Sequence, residues 1–188
     1  MRAVREGDLP QLGVLFERHA GSLFDFLSRM TGNRSAAEDM VQDVFVRMLK
    51  YRATYRDDGR FETWMFRIAR NARADYFRAR AAAEHVSDEG LDAPSDGPGP
   101  ARLLEQEQEA ALLRRALLSL REDRRELIVL TRYRGMKHEA IAELLGIEVG
   151  TVKVRIHRAI KELRDIYLAL TRNQSWTAET SPRSLRII

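Results

Sequence analysis

Residues 61 to 80 combine two kinds of side chain that contact nucleic acid. The stretch FETWMFRIARNARADYFRAR holds five aromatic residues and five arginines in twenty positions, offset only by Glu62 and Asp75. Bases stack on aromatic rings and guanidinium groups pair with phosphates, so this mixture is typical of surfaces that hold a single strand. The alternative is an ordinary amphipathic helix whose basic face is solvated.

A helical wheel distinguishes the two sides of this stretch. Turning about 100° per residue, it predicts an inward face made of Phe61, Trp64, Met65, Ile68, Ala72, Tyr76 and Ala79. On the opposite side lie Phe66 and Phe77, together with Arg67, Arg70, Arg73 and Arg80. Because large apolar rings are unusual on a solvated face, this second side favours a nucleic-acid surface.

The segment AIAELLGIEVGTVKVRIHRAIKELR has the spacing of a helix-turn-helix. Ala142 is a small residue for the helix crossing, Gly146 suits the turn, and Val152 is an apolar anchor under the second helix. The side chains that project from the rest of that helix are Lys153, Arg155, His157, Arg158 and Lys161. We expect residues 149 to 161 to enter a major groove, whereas a helical pair with a solvated flank is the alternative. Lys137 and Glu148 stand at the N-cap positions and predict weak caps.

A polar trio, Asp39, Gln42 and Asp43, lies on a further predicted helix, SAAEDMVQDVFVRMLKY. Ser35 and Glu38 have the spacing of a capping box and predict where this helix starts. The trio is compatible with a solvated face, a metal site or a protein-docking patch. No further ligand nearby in the sequence completes a metal site, so a solvated face is the default interpretation.

The composition limits the class of protein. No cysteine occurs among the 188 residues, so there is no thiol nucleophile or thiolate metal site, and the four histidines lack the spacing of a metal site or catalytic base, so we expect no metal or cofactor. No apolar run reaches the roughly 20 residues of a membrane span, and the N-terminus lacks the apolar core of a signal peptide. We therefore expect a cytoplasmic protein without membrane insertion. A formal net charge of +4 and a pI of 9.7 fit a polyanionic partner.

Helical periodicity dominates the sequence and predicts an all-α fold with two small helical domains. Between them, residues 84 to 109 hold eight acids, one arginine and three of the five prolines. The first part of this segment predicts a flexible acidic linker. The expected organisation is a first domain at 1–83, the linker at 84–102, a second domain at 103–170, and a tail at 171–188 that is disordered by default.

Taken in order, three segments resemble the sigma-70 family of bacterial sigma factors, and specifically the extracytoplasmic-function (ECF) type. They are AEDMVQDVF, FETWMFRIARN and ELIVLTRYRGMKHEAIAELLGIEVGTVKVRIHRA, within residues 8 to 170. The resemblance implies a sigma region 2 helical bundle followed by a region 4 helix-turn-helix. It also implies an alternative sigma factor that binds core RNA polymerase and directs promoter-specific transcription initiation.

The same resemblance implies roles for individual residues. Asp39, Gln42 and Asp43 match the motif that docks on the β′ clamp helices of polymerase. Asn71 matches the residue whose loop captures a base flipped out of the melted minus-ten box, and the loop after it, Ala72 to Asp75, would tune the choice of base. Combined with the wheel, the predicted minus-ten set is Phe66, Arg67, Arg70, Asn71, Arg73 and Asp75. The predicted minus-thirty-five set is Lys153, Val154, Arg155, His157 and Arg158.

The implied partners are core RNA polymerase, through its β′ and β subunits, promoter DNA and an anti-sigma factor. The acidic linker resembles the segment that threads the RNA path of the polymerase. A stand-alone helix-turn-helix transcriptional regulator, which needs no polymerase, is the alternative function. A metal-dependent nuclease lacks a supporting set of ligands.

Overall fold

The computed structural model describes residues 1–57, 60–83 and 101–180. All regular structure within these ranges is helical, as predicted. The α-helices are α1 (Arg2–Arg5), α2 (Gln11–Thr31), α3 (Arg34–Lys50), α4 (Phe61–Ala83), α5 (Ala101–Ser119), α6 (Glu122–Ile128), α7 (His138–Leu145) and α8 (Val149–Thr180). A 3₁₀ turn covers Arg52–Thr54, and a π-helical turn, Val129–Tyr133, continues α6. None of the described helices has the length and apolar character needed to cross a membrane.

Helices α2, α3 and α4 form the N-terminal bundle around one apolar core. Its largest fully buried side chains include Phe26, Met30, Met48, Met65 and Phe66. Helix α2 ends where Gly32 takes a left-handed backbone with φ 73°, which glycine adopts without a steric cost. The short turn this allows folds α3 back against α2.

The N-terminus of α3 differs from the predicted capping box. Asn33 is the N-cap residue, and its side-chain oxygen accepts a hydrogen bond from the Ala36 N–H at 2.9 Å. Ser35 already lies inside the helix, so the prediction that Ser35 and Glu38 form the cap was wrong. The extended backbone of Asn33, directly after Gly32, explains why the helix starts two residues earlier than the predicted capping box suggests.

Helices α5 to α8 form the C-terminal bundle and contain the predicted helix-turn-helix. Helix α7 ends at Gly146, whose left-handed backbone has φ 66° and whose N–H donates to the Ala142 carbonyl. On α8, Val152, Ile156 and Ala159 are buried at helical spacing. Lys137 caps α7 without a side-chain hydrogen bond, which confirms the weak cap predicted there.

Helix α8 extends beyond the expected end of the second domain. It continues to Thr180, so residues 171–180 are helical and the prediction of a disordered tail was wrong for them. Residues 164–180 contain neither glycine nor proline to stop the helix, whereas Pro182 comes two residues after Thr180. Residues 181–188, and residues 84–100 of the predicted linker, lie outside the described ranges.

The two bundles pack directly against each other. Helix α4 contacts α7, and α2 contacts α5 and α6. At this interface the Arg125 guanidinium donates to the Met30 carbonyl of α2 at 2.5 Å and also to carbonyls at the C-terminus of α5. Burial lowers the pKa of Arg125.

The end of α2 also lies close to α5. A side chain at Gly32 would bring its Cβ to 2.9 Å from Leu118 Cδ1, so the two helices approach closely at this point. We call this packing of the two bundles against each other the closed arrangement.

Candidate nucleic-acid interface

Helix α4 is unbroken from Phe61 to Ala83 and carries the exposed Asn71 near its middle. The prediction of a loop at Ala72 to Asp75 was therefore wrong, because these residues continue the same helix. Arg67 is also exposed, and residues four apart share one face of a helix. Asn71 and Arg67 thus present an amide and a guanidinium side by side from a rigid element.

Phe66 does not lie on this exposed face. It is 2% exposed, and its ring meets that of Phe26 edge-on with centroids 5.2 Å apart. The wheel prediction for Phe66 was wrong because α4 is covered on two sides, by the N-terminal bundle and by α7, which widens its buried arc. Phe77 is exposed, as predicted, whereas Ala79 is exposed against the prediction.

Two of the predicted DNA-binding arginines are held by acids of α6. Arg70 Nε donates to Glu126 Oε1 at 2.8 Å, and Arg73 pairs with both Glu126 and Glu122. Arg73 is only 4% exposed. In the closed arrangement these carboxylates therefore occupy hydrogen-bonding positions beside the two guanidinium groups.

Sequence reasoning missed the role of Glu126. The signal was available, because Glu126 is the acid that opens the otherwise apolar run ELIVL. A carboxylate in such a position must find a cationic partner when it is buried. The wheel of α4 alone could not show that Arg70 and Arg73 supply it.

Arg47 links the polar trio to Asp75, the last residue of the predicted minus-ten set. Its guanidinium pairs with Asp43 at 2.8 Å and with Asp75 at 2.5 Å. The hydrogen bond from Arg47 lowers the pKa of Asp75, and the charges of Arg47 and Arg78 act in the same direction. Asp39 and Gln42 are exposed, while Asp43 is half-buried. Arg47 thus fixes Asp43 and Asp75 and was not among the predicted site residues.

No metal centre is formed by the trio. Across the described ranges, no group of three or more His, Asp or Glu residues could hold a metal ion. The paired Asp43 and the exposed Asp39 instead make a polar stripe along α3, one turn from the exposed Val46.

Helix α8 presents the predicted minus-thirty-five residues on its outer side. The exposed residues of this face are Lys153, Val154, Arg155, His157 and Arg158. Val154 is 51% exposed, although it is apolar. Because Val152, Ile156 and Ala159 anchor the opposite face, the orientation of these five side chains is fixed by the core.

Comparison with known proteins agrees with this geometry. Residues 15–83 match the family model for Sigma-70 region 2, and residues 110–163 match that for Sigma-70, region 4. The ECF RNA polymerase sigma factor SigE of Mycolicibacterium smegmatis is 33% identical over 175 residues, covering 92% of this chain and 66% of that protein. The RNA polymerase sigma factor CarQ of Myxococcus xanthus is 33% identical over 169 residues, covering 88% of this chain and 94% of that protein.

A solved structure shows the same likeness in three dimensions. CnrH, in complex with the cytosolic domain of CnrY, has a TM-score of 0.65 and 30% identity, covering 89% of this chain and 94% of that one. The chain belongs to the sigma-70 family and is an alternative RNA polymerase sigma factor of the ECF type. It is a transcription initiation factor and not an enzyme.

Proposed function

We propose that this sigma factor makes three separate contacts, through α3, α4 and α8. Asp39, Gln42 and Asp43 dock on the β′ clamp helices of core polymerase, Asn71 and its neighbours bind the minus-ten box, and the outer face of α8 binds the minus-thirty-five box. The observation that carries this proposal is that Asn71 and the five α8 side chains are exposed on different bundles. Two promoter boxes can then be held at once, which raises the effective concentration of the second contact.

At the minus-ten box, Asn71 is the residue proposed to read a base. An amide side chain offers both a donor and an acceptor, which suits the edge of an unpaired base. Extruding a base costs a few kcal/mol, so a residue that traps the open strand also selects its sequence. Arg67 holds a phosphate beside it, and the exposed ring of Phe77 offers a stacking surface on the same helix. Phe66 belongs to the core and takes no direct part.

Arg70 and Arg73 join this contact only after the closed arrangement opens. Both guanidinium groups are paired with α6 in the closed arrangement, so DNA phosphates and the α6 carboxylates compete for them. We assign residues 1–83 to polymerase docking and the minus-ten box, and residues 103–170 to the minus-thirty-five box. Binding of each domain to polymerase and promoter separates α6 from α4 and frees the two arginines.

At the minus-thirty-five box, α8 enters the major groove with its N-terminal half. Arg155 and Arg158 are suited to guanine edges and phosphates, because a guanidinium donates two parallel hydrogen bonds. Val154 offers an apolar surface for a thymine methyl group. Glu148 lies just before α8 and disfavours a phosphate close to the helix start, which limits how deeply the helix enters.

The proposed role as a sigma factor also implies where the protein acts and what it binds. The protein acts in the cytoplasm, where polymerase and chromosome are found, and contacts the β as well as the β′ subunit. An anti-sigma factor is a further proposed partner. Support comes from CnrH, which was solved with the cytosolic domain of a second protein, CnrY.

The decisive experiment combines the purified protein with sigma-free core polymerase and genomic promoter fragments. We expect transcripts that start from a defined set of promoters, and none from core polymerase alone. A lack of promoter-dependent transcript, together with tight and specific duplex binding by the free protein, would instead identify a stand-alone helix-turn-helix regulator.

A further inference from the structure

A cavity of about 230 Å³ lies between the two bundles, away from the α6 ion pairs. One wall comes from the start of α4 and the residue before it, with Arg60, Glu62 and Thr63. The opposite wall comes from the turn before α7 and from its first residues, with Arg134, Lys137 and Ala140. Both domains therefore contribute to one partly open pocket.

The charge of this cavity is positive. Arg60 reaches it from the residue before α4, Arg134 and Lys137 reach it from the turn before α7, and Glu62 is the single acid among the described residues that line it. Three cations against one acid leave an excess of two positive charges. Arg60 and Lys137 are exposed and Arg134 is half-buried, so an anion between them relieves the part of their repulsion that solvent does not screen.

Polar groups at the cavity also lack partners. Thr63 is 1% exposed, and no described group forms a hydrogen bond with its Oγ1. The buried Nε of Arg134 likewise has no hydrogen-bond partner among the described residues. Helix α7 begins at this cavity, where its first N–H groups have no intrahelical acceptor, and no side-chain cap supplies one. A hydroxyl, a guanidinium N–H and a helix N-terminus are all donors, and together they call for an oxygen-rich anion.

We propose that this cavity binds a small phosphate-like oxyanion, whose oxygens accept hydrogen bonds from Thr63, Arg134 and Lys137. Because its donors belong to both bundles, the bound anion stabilises the closed arrangement and disfavours separation of α6 from α4. Anion binding stands independently of the proposed DNA contacts, whereas its effect on promoter binding rests on the proposed function.

His19 provides a local probe for this site. Its ring packs against Phe61, with centroids 5.0 Å apart, at the residue that starts α4. Burial lowers the pKa of His19, Glu62 opposes this effect, and the nearby Arg134 lowers the pKa further. A bound anion adds a negative charge next to Arg134, so it raises the pKa of His19.

The test titrates inorganic phosphate into the full-length protein at constant ionic strength and records the ring resonances of His19 and His157 by NMR. We expect a saturable shift and a raised pKa for His19, with no saturable change for the exposed His157. A linear response without saturation, equal at both histidines, would show that the cavity holds water only and would overturn the proposal.

Matched variants locate the binding. Arg60→Gln and Lys137→Gln each remove one positive charge from opposite walls, and each should weaken phosphate binding about tenfold. Lys50→Gln removes the same charge from the end of α3 and should leave the affinity unchanged. Equal losses in all three variants would indicate nonspecific attraction, and a loss in only one of the two cavity variants would refute a shared site.

A second arm identifies the source of the phosphoryl group. A nucleoside monophosphate replaces inorganic phosphate in the same titration. Tighter binding of the free anion indicates an inorganic ligand, whereas tighter binding of the ester indicates a phosphorylated metabolite. Failure of the polymerase experiment would leave these titrations unaffected, so the two proposals can fail separately.

Discussion

The carboxylate of Glu126 lies between the guanidinium groups of Arg70 and Arg73. Its Oε1 is 2.8 Å from Arg70 Nε and 3.6 Å from Arg73 Nη1. The side chains of Glu126 and Arg73 are 6% and 5% exposed, so this contact is largely removed from water. Glu126 and the neighbouring Glu122 of the second bundle thus offset the charges of Arg70 and Arg73 of the first, and this relationship defines the closed arrangement.

Glu126→Gln should loosen the closed arrangement. Removing one partner of a buried ion pair costs about 3 to 5 kcal/mol, and we expect the lower end because Arg70 is partly exposed. Amide hydrogen exchange should report lower protection in α6 and at the middle of α4, and small-angle scattering should report a larger radius of gyration. Glu122→Gln is the matched control, since the Glu122 side chain is 60% exposed. Equal effects of the two variants would contradict the central role of Glu126.

Asn71→Ala should weaken promoter opening and reduce the preference for particular bases in the minus-ten box. The side chain is exposed and supports no part of the core, so we expect the thermal midpoint to stay within the range of other surface substitutions. Permanganate reactivity of the melted strand measures opening, and core binding is measured on the same preparation. A parallel loss of core binding would show that Asn71 does not act by reading a base.

Arg155→Ala should cost about 1 to 3 kcal/mol of promoter binding, and the loss should map to the minus-thirty-five box if the side chain contacts a base edge. Footprinting of the polymerase complex provides the measurement. Arg114→Ala, on the exposed side of α5, removes an equal charge from the same bundle and serves as the control. An unchanged footprint over the minus-thirty-five box would show that Arg155 does not contact that box.

Asp39→Lys should weaken binding to core polymerase about tenfold, which is roughly 1.4 kcal/mol, because it reverses an exposed and unshielded charge on α3. Glu38→Lys makes the same change at the neighbouring exposed residue, which points to a different side of the helix. Competition against a second sigma factor for limiting core polymerase measures both variants. If Glu38→Lys is equally damaging, the effect comes from net charge and not from docking of the trio.

Arg47→Met should raise the pKa of Asp75 toward its ordinary value of 3.8, because the hydrogen bond from Arg47 is the main cause of the lowered pKa. A lowered carboxyl pKa stabilises the fold above the unfolded pKa, and this contribution is lost as pH falls through the folded value. The variant should lack that contribution throughout, so its stability should depend less on pH in the acid range. Carboxyl NMR titration measures the pKa, and Arg78→Met should have a smaller effect. A larger effect of Arg78→Met on the pKa of Asp75 would show that Arg78, and not Arg47, is the main cause of the lowered pKa.

The sequence predicted the helix-turn-helix well because its three diagnostic residues act within the α7–turn–α8 unit. Gly146, Ala142 and Val152 each serve a purely local purpose, and all three lie where their spacing placed them. Helix α4 behaves differently, because it packs against α2 and α3 as well as α7, whereas a wheel assumes one packing face. Phe66 is consequently buried in a place where the wheel predicts an exposed ring.

Other differences have equally specific causes. The helix cap at Asn33 depends on the backbone turn at Gly32, which side-chain spacing at Ser35 and Glu38 does not report. The pairing of Arg73 with Glu122 joins residues 49 positions apart, beyond the reach of any periodic pattern. Residue patterns thus predicted the exposed polar groups of α3 and α8 and missed the contacts that link one bundle to the other.

The length of α8 has a mechanical consequence. A single helix joins the predicted recognition face to Thr180, which lies about 33 Å beyond Arg158 at 1.5 Å per residue. Because one continuous helix is stiff, a small displacement of one end changes the tilt of the other end. Fluorescent labels or fused domains attached near its far end would therefore report a change in the tilt of the half that is proposed to bind duplex DNA.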